Sequence, residues 1–432
     1  MANQTPAEPG TTGANPVHER HASWIELFFD LVAVAGIGQL THLLHKGPSP
    51  ADFGVYVVLY LAFWMVWASI TMYGNTARGH ARVPLMLAAM LGLGVMAAAV
   101  AGIPERHATA FAAVYVIVRL SSEKLWGRGR IVVDWPTVQL TVGVLPWIAS
   151  LWVDAPWRYW LWAAGMALDL WVMFAVSGEE YFASAQQRLD KRMNKMREKI
   201  EIDPARVPTF KAVHADPAHL GERLGLYVII VLGEGIIAII GAVGVLDWNV
   251  RVLGLGFASF AILAGLWALT LMFGFVPRLL SESDSPTHIP WQHIMLGHCW
   301  MTGAIATIAA GLGLTIEHAE GHLTTGVGWA LGGGAAAYFA VSAIGGMRSG
   351  SGWRWLLAWP APCALVAILL GAFAAHLGPL PTVCVLLALI LWPLLWESWS
   401  AGTWRRGRDG STPARPHRTP RTHGRADASE TA

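Results

Sequence analysis

The chain has 432 residues, of which 54% are hydrophobic and 13% charged, with a formal net charge of +2 and a mean hydropathy of +0.46. Soluble domains carry roughly a quarter charged residues, and apolar runs recur here along nearly the whole length, so a water-soluble globule is excluded. The small net charge excludes nothing by itself, but its distribution along the chain is informative.

The first twenty or so residues are polar and rich in Pro, Gly and Thr, which predicts a disordered N-terminus over 1–22. The apolar run from about Trp24 to Leu44 carries acids and lacks a small-residue cleavage pattern, so it reads as a retained first span and not as a signal peptide. A hydrocarbon core about 30 Å thick needs about 20 apolar residues per helix. Runs of that kind fall at about 24–44, 53–73, 83–103, 108–126, 134–153 and 157–177, then at about 222–245, 250–275, 293–316, 323–346, 353–376 and 379–401. Breaks coincide with punctuation such as Gly47-Pro48-Ser49-Pro50, Ile103-Pro104-Glu105, Asp154-Ala155-Pro156 and Gly378-Pro379. The expected fold is all-α, a polytopic membrane bundle of about twelve transmembrane helices in two parallel six-helix repeats. The halves are 23–177 and 222–402, joined by a connector over 178–221 and followed by a disordered basic tail over 403–432.

An even number of spans puts both termini on one side. That side carries Arg20, Arg78, Arg82, Lys124, Arg128, Arg130, Arg278, Arg348 and Arg354, besides the connector and tail. The opposite loops offer only Lys46, Arg106, Arg158 and Arg251. The positive-inside bias predicts that both termini are cytoplasmic.

The repeat rests on two likenesses. Trp67-Ala68-Ser69-Ile70-Thr71-Met72-Tyr73-Gly74 matches Trp267-Ala268-Leu269-Thr270-Leu271-Met272-Phe273-Gly274, and the acid-opened spans starting at Glu26 and Glu222 lie at a similar offset. Six spans per half make the repeats parallel, about an axis along the membrane normal. In the connector, Phe182, Ala185, Leu189, Met193, Met196 and Ile200 recur at helical spacing between mostly charged positions. This reads as a basic amphipathic helix on the cytoplasmic membrane surface or under the bundle.

Charged groups inside a span cost several kcal/mol unless paired or wet, so each needs a reason. Glu26 and Asp30 are four apart and share one helix face. Two such carboxylates hold a proton between them or require a cation; alternatively they are a structural pair, salt-bridged to a base. Span seven brings Glu222, Arg223 and Glu234. Adjacent helical residues diverge by about 100°, so Glu222 and Arg223 serve different partners. If the halves are pseudo-symmetric, Glu222 stands near the axis opposite Glu26, and Arg223 can neutralise the Glu26/Asp30 pair. Glu234 lies about 18 Å deeper, near the bilayer middle, between Gly233 and Gly235, which permit close helix approach or local unwinding. It is the leading candidate for function; the alternative is a neutral buried acid bonded to a neighbouring helix. Arg119 and Asp169 lie in apolar surroundings in the same half of the membrane, and form an ion pair or a substrate site.

Asn75, His293 and His298 complete a polar cluster toward the cytoplasm. The histidines are five apart, a poor spacing for a shared ligand, and read as singly satisfied. Glu317, His318, Glu320 and His322 crowd an outer loop without the HExxH arrangement, so no metal site is expected. The three cysteines, Cys299, Cys363 and Cys384, fall in spans without paired spacing and read as small core residues. With no P-loop, and GxG pieces only inside apolar helices, no cofactor is expected either. The arginines of the tail read as topology determinants and not as a nucleic-acid site.

WIELFFDLVAVAGIGQLTHLL from Trp24 and ERLGLYVIIVLGEGIIAI from Glu222 resemble the two signatures of the LtrA (low temperature requirement protein A) family. Supporting pieces are YVIVRL around Arg119, ALDL around Asp169 and His293-Ile294-Met295-Leu296-Gly297. The resemblance covers about residues 22–400. It implies a bacterial polytopic membrane protein linked by name to growth in the cold, with Glu26, Asp30, Glu222, Arg223 and Glu234 as signature positions, and it implies no established reaction. The sequence departs from the family pattern after Asn75, where Thr76-Ala77-Arg78-Gly79-His80-Ala81-Arg82 replaces an acid-bearing stretch. Three functions stay open. The first is a secondary transporter or proton/ion pathway using the intramembrane carboxylates, with the lipid bilayer as partner and protons or a small solute as cargo. The second is a non-catalytic stress or assembly protein, and the third a membrane enzyme acting on a lipid or envelope precursor.

Overall fold

In a computed structural model the protein is described over residues 21–44, 49–77, 82–103, 106–125, 131–133, 142–175, 187, 191, 211–213, 215–272 and 291–409. Its helices are α1 (Trp24–Gly38, continued as a 3-10 turn over Gln39–Leu43), α2 (Pro50–Ala77), α3 (Val83–Val100), α4 (Ala108–Leu125), α5 (Val144–Ala149) and α6 (Trp157–Ala175). After these come α7 (Pro217–Gly244), α8 (Val250–Trp267, ending in a wider π turn over Ala268–Met272), α9 (Trp291–Glu317), α10 (Thr325–Arg348), α11 (Trp353–Ala358), α12 (Pro360–Leu377) and α13 (Pro379–Asp409). Successive spans reverse direction. The end of the bundle where α1 begins is called here the near face, and the opposite end the far face.

Nine stretches among the described residues are long and apolar enough to cross a membrane. The expected spans at 108–126, 134–153 and 157–177 are not among them. Ala108–Ser122 is a shorter apolar helix, and within 134–153 the described helix is α5 with a 3-10 turn over Ser150–Trp152. The polytopic helical bundle therefore stands, with nine spans among the described residues where about twelve are expected from apolar run length.

The enclosed centre is built by α2 and α9, the two spans with the largest share of buried residues. A helix that is apolar all round belongs inside protein or lipid, and α2 fits, with Trp64 and Trp67 fully buried. In the first half α1 packs on α2 and α3, α3 on α4, α4 on α5, α5 on α6, and α6 returns to α2. In the second half α7 packs on α8 and α9, α9 on α10, α10 on α12, α12 on α13, and α13 returns to α8. The halves meet where α1 lies against α7 and α2 against α9.

Two boundaries and one strand pairing differ from expectation. Span seven starts at Pro217 and not at 222, because Asp216 caps it, accepting from His219 N at 3.3 Å, and Pro217 supplies a preset first helical position. The last helix continues to Asp409, past 402. Ile131–Val133 pairs in parallel with Lys211–Val213, a contact between the loop after α4 and the end of the connector. The amphipathic helix expected over 182–200 lies outside the described residues except for Gln187 and Lys191, and of the disordered ends expected over 1–22 and 403–432, residues 1–20 and 410–432 lie outside them.

Candidate functional site

The polar groups of α1, α2 and α7 converge at the near face. Ser23 precedes α1, and its backbone N and Oγ donate to Glu26 Oε2 at 2.9 and 2.7 Å, which anchors the first turn. One turn on, Asp30 points the same way. Arg223 reaches both from α7. Its Nε and Nη2 donate to the two Asp30 oxygens, Nε at 3.4 Å, while Nη1 lies 3.7 Å from Glu26 Oε1 and Nη2 donates to the Glu26 carbonyl at 3.4 Å. From α2, Trp67 Nε1 donates to Asp30 Oδ1 at 2.7 Å. Asp30, Arg223 and Trp67 are completely enclosed.

Asn75 ends the α2 contribution. Its Oδ1 accepts from Asp216 N at 2.8 Å and its Nδ2 donates to Asp216 O at 3.0 Å, so the amide orientation is fixed by the backbone of the α7 cap. The remaining Nδ2 proton faces His219 Nδ1 at 3.1 Å. That makes Nδ1 the acceptor and puts the neutral imidazole's proton on Nε2, 3.4 Å from Glu26 Oε2. Gly74 has to be small, since a Cβ there would fall 2.6 Å from Glu26 Oε1.

An aromatic layer lies beneath. Trp67 stacks on His298 at 5.4 Å and packs on Tyr227 at 4.1 Å between centroids. His298 Nε2 pairs with Leu224 O at 3.1 Å. Further along the α2–α9 contact, Tyr60 Oη donates to Cys299 O at 2.7 Å and bonds Thr302 Oγ1 at 2.8 Å, and Thr307 donates to Tyr56 at 3.1 Å.

Glu234 is elsewhere. It sits on α7 about 17 Å beyond Arg223 at 1.5 Å per residue, half-buried, with its carboxylate against Gly38 of α1; a Cβ on Gly38 would meet Glu234 Oε1 at 2.2 Å. No hydrogen bond or ion pair holds it among the described residues.

Other candidates separate from this group. Glu222 turns away from Arg223, accepting from Ala22 N at 3.2 Å and pairing with His21 at 3.5 Å, and its side chain is 36% exposed. The place beside Glu26 expected for Glu222 is thus taken by Arg223, since the 100° step to Glu222 points it at the N-terminal segment. Arg119 and Asp169 form their own buried pair at 3.3 Å, and Asp169 Oδ1 accepts from Gly143 N at 3.0 Å. His293 is half-buried at the start of α9. No group of three metal-ligating side chains occurs among the described residues.

Sequence reasoning missed Trp67 as a donor, as well as His219, Asp216 and Tyr227. A signal for α2 existed: Tyr56, Tyr60, Trp67 and Asn75 recur at helical spacing and form a hydrogen-bonding stripe on an otherwise apolar helix. The motif likeness between Trp67 and Trp267 does not carry the role, because Trp267 is 45% exposed and its helix widens into the π turn immediately after it.

Comparison with known proteins adds one match. The family model described as bacterial low temperature requirement A protein (LtrA) matches residues 21–404. No curated protein and no solved structure matches the chain.

Proposed function

We propose, from the premise that the chain belongs to the bacterial low temperature requirement A (LtrA) family, that this multi-pass membrane protein is a secondary transporter or proton/ion pathway with Glu234 as its protonatable site. The observation that carries this reading is the isolation of Glu234. An acid midway along a span, half open and held by no donor or base among the described residues, can take up and release a proton or small cation. On the same reading the Glu26–Asp30–Arg223 group joins the two halves at the cytoplasmic end, and both termini are cytoplasmic in the bacterial inner membrane. The recurrent neighbour order of the halves supports a parallel six-helix repeat. Arg119, Asp169, Asn75 and Glu222 act in this scheme by fixing helix ends and contacts.

The test is flux in proteoliposomes, with wild type compared with Glu234→Gln across protons and a broad solute panel. Transport in wild type that is abolished in the variant is the expected result. If wild type moves nothing, the transport reading fails; unchanged flux in the variant removes Glu234 alone.

A second reading, a non-catalytic stress or assembly protein, is favoured by one observation. Glu26, Asp30, Arg223, His219, Asn75 and Trp67 form a closed network, as structural glue would. Wild type without flux, together with loss of folded protein on breaking the network, would support it. Acid–base chemistry by Glu26 and Asp30 on a lipid precursor has less support, since both carboxyls are enclosed and already engaged by donors.

A further inference from the structure

Three helices of the second half depart from regular α geometry where they touch one another. In α13, Pro393 stands inside the helix. A proline there has no N–H for the carbonyl four residues earlier and its ring pushes that carbonyl aside, which frees Leu389 O. Cys363 of α12 takes it up, its thiol donating to Leu389 O at 3.9 Å. Between α11 and α12 the chain breaks at Trp359, whose φ of −149° and ψ of −44° lie outside the helical region, and Pro360 starts the new helix. Ala358 O, at the end of α11, accepts from Trp392 Nε1 of α13 at 3.0 Å. A carbonyl at each irregularity is thus met by a side chain from the neighbouring helix.

The third irregularity lies against the first. Helix α8 runs to Trp267 and widens into the π turn over Ala268–Met272. Just before that turn, a Cβ on Gly265 would collide with Ile390 and stand 3.6 Å from Leu394, so α8 touches α13 on both sides of Pro393. Within the turn, Thr270 Oγ1 is bonded to Tyr338 Oη of α10 at 2.9 Å. Beyond this layer, toward the near face, α11 and the end of α13 are tied to each other. Glu397 Oε1 accepts from Trp355 Nε1 at 2.9 Å and from Trp359 Nε1 at 3.1 Å, and the two rings stand edge to face at 5.1 Å.

We propose that α11 and the part of α13 beyond Pro393 form one flap at the near face of the second half, hinged on the Pro393 bend and the Trp359–Pro360 break. Both points lack backbone bonds that stiffen a continuous helix, so bending is concentrated there. Element ends of this kind are where hinges absorb their φ/ψ change. Two helices with separate weak points would bend independently; here the Glu397 bonds couple them beyond the hinge. Cys363 and Trp392 hold the hinge itself in place of the missing backbone ladder. The π turn makes α8 a yielding wall beside it. Travel toward α10 is limited, because Trp355 is wedged against Gly346 with no room for a Cβ. The flap is independent of whether the protein transports.

Amide hydrogen exchange of the full chain in lipid nanodiscs, read by peptide mass spectrometry, tests the coupling. Pro393→Ala supplies the missing N–H to Leu389 O on α13 alone. If the two pieces move as a unit, exchange should slow about tenfold both at 394–400 and at 354–358 on the other helix, with 366–375 of α12 unchanged. Cys363→Ala leaves Leu389 O without its donor and should speed exchange in the same two segments. Combined with Pro393→Ala it should have no effect, since the restored N–H then serves Leu389 O. Slowing confined to 394–400, no change in either segment, or a uniform change that includes 366–375 overturns the proposal. Cys363→Ala is read by the same criteria if Pro393→Ala does not fold.

Discussion

Glu234 and Gly38 face each other across the contact between α7 and α1, and the absence of a Cβ on Gly38 is what leaves room for the carboxylate. Gly38→Ala should therefore expel the side chain. Overpacking of this kind costs about 1–3 kcal/mol, and the cost should shrink when Glu234 is also Ala. A double-mutant cycle by thermal unfolding in detergent measures the difference; additive effects would show that the two do not compete for space.

Arg223 is the sole base contacting both Glu26 and Asp30 among the described residues. Arg223→Met leaves two enclosed carboxylates facing each other, and breaking a buried ion pair from one side costs about 3–5 kcal/mol. The triple change with Glu26→Gln and Asp30→Asn should regain part of that loss. Folded yield and melting temperature of the three forms decide it.

Trp67→Phe keeps the ring beside Tyr227 and His298 but removes the donor to Asp30. A hydrogen bond to a charged group is worth about 1.5–3 kcal/mol, so a drop of that size is expected. Trp267→Phe, at the matching motif position but 45% exposed, should change stability by less than about 0.5 kcal/mol.

Asn75→Ala removes both bonds to Asp216 and the partner of His219 Nδ1. The start of α7 should loosen, which hydrogen exchange would report as faster exchange at residues 216–220 with little change at 235–243. Uniform change along α7 would contradict a local clamp.

Single cysteines in a cysteine-free background test orientation. A membrane-impermeant maleimide added to intact cells should label a cysteine at Glu320 and not one at His80. The reverse pattern would invert the topology read from the Lys and Arg distribution.

The fold class could be read from apolar run length, because lipid removes the alternatives to helices. Span 3 at Val83–Val100 and span 10 at Thr325–Arg348 fall close to the expected 83–103 and 323–346. The weakly apolar 108–177 region could not be resolved that way, since Arg119, Asp169 and several tryptophans dilute the signal that run length depends on. In the site, the pairing of Arg223 with the Glu26/Asp30 acids follows from charge together with an assumed pseudo-symmetry of the halves. His219 and Asp216 escaped notice because they lie before the apolar run of span seven, in a segment recognisable as helix only once the Asp216-Pro217 cap is seen. Glu397 escaped because its partners, Trp355 and Trp359, sit some forty residues away on either side of a helix break.

Helix α7 is unbroken from Pro217 to Gly244, and it carries both Arg223 and Glu234. Eleven residues are close to three full turns at about 3.6 residues per turn, so the two side chains leave the helix in nearly one direction, toward α1. The helix is thus a stiff rod with the Arg223 contact at one end and the Glu234 carboxyl beyond its middle. A rotation of α7 that carries Arg223 away from Glu26 and Asp30 must also carry Glu234 off Gly38. On the proposed transport reading, the Arg223 contact and occupancy at Glu234 would then be coupled mechanically, with no relay of side chains needed between them.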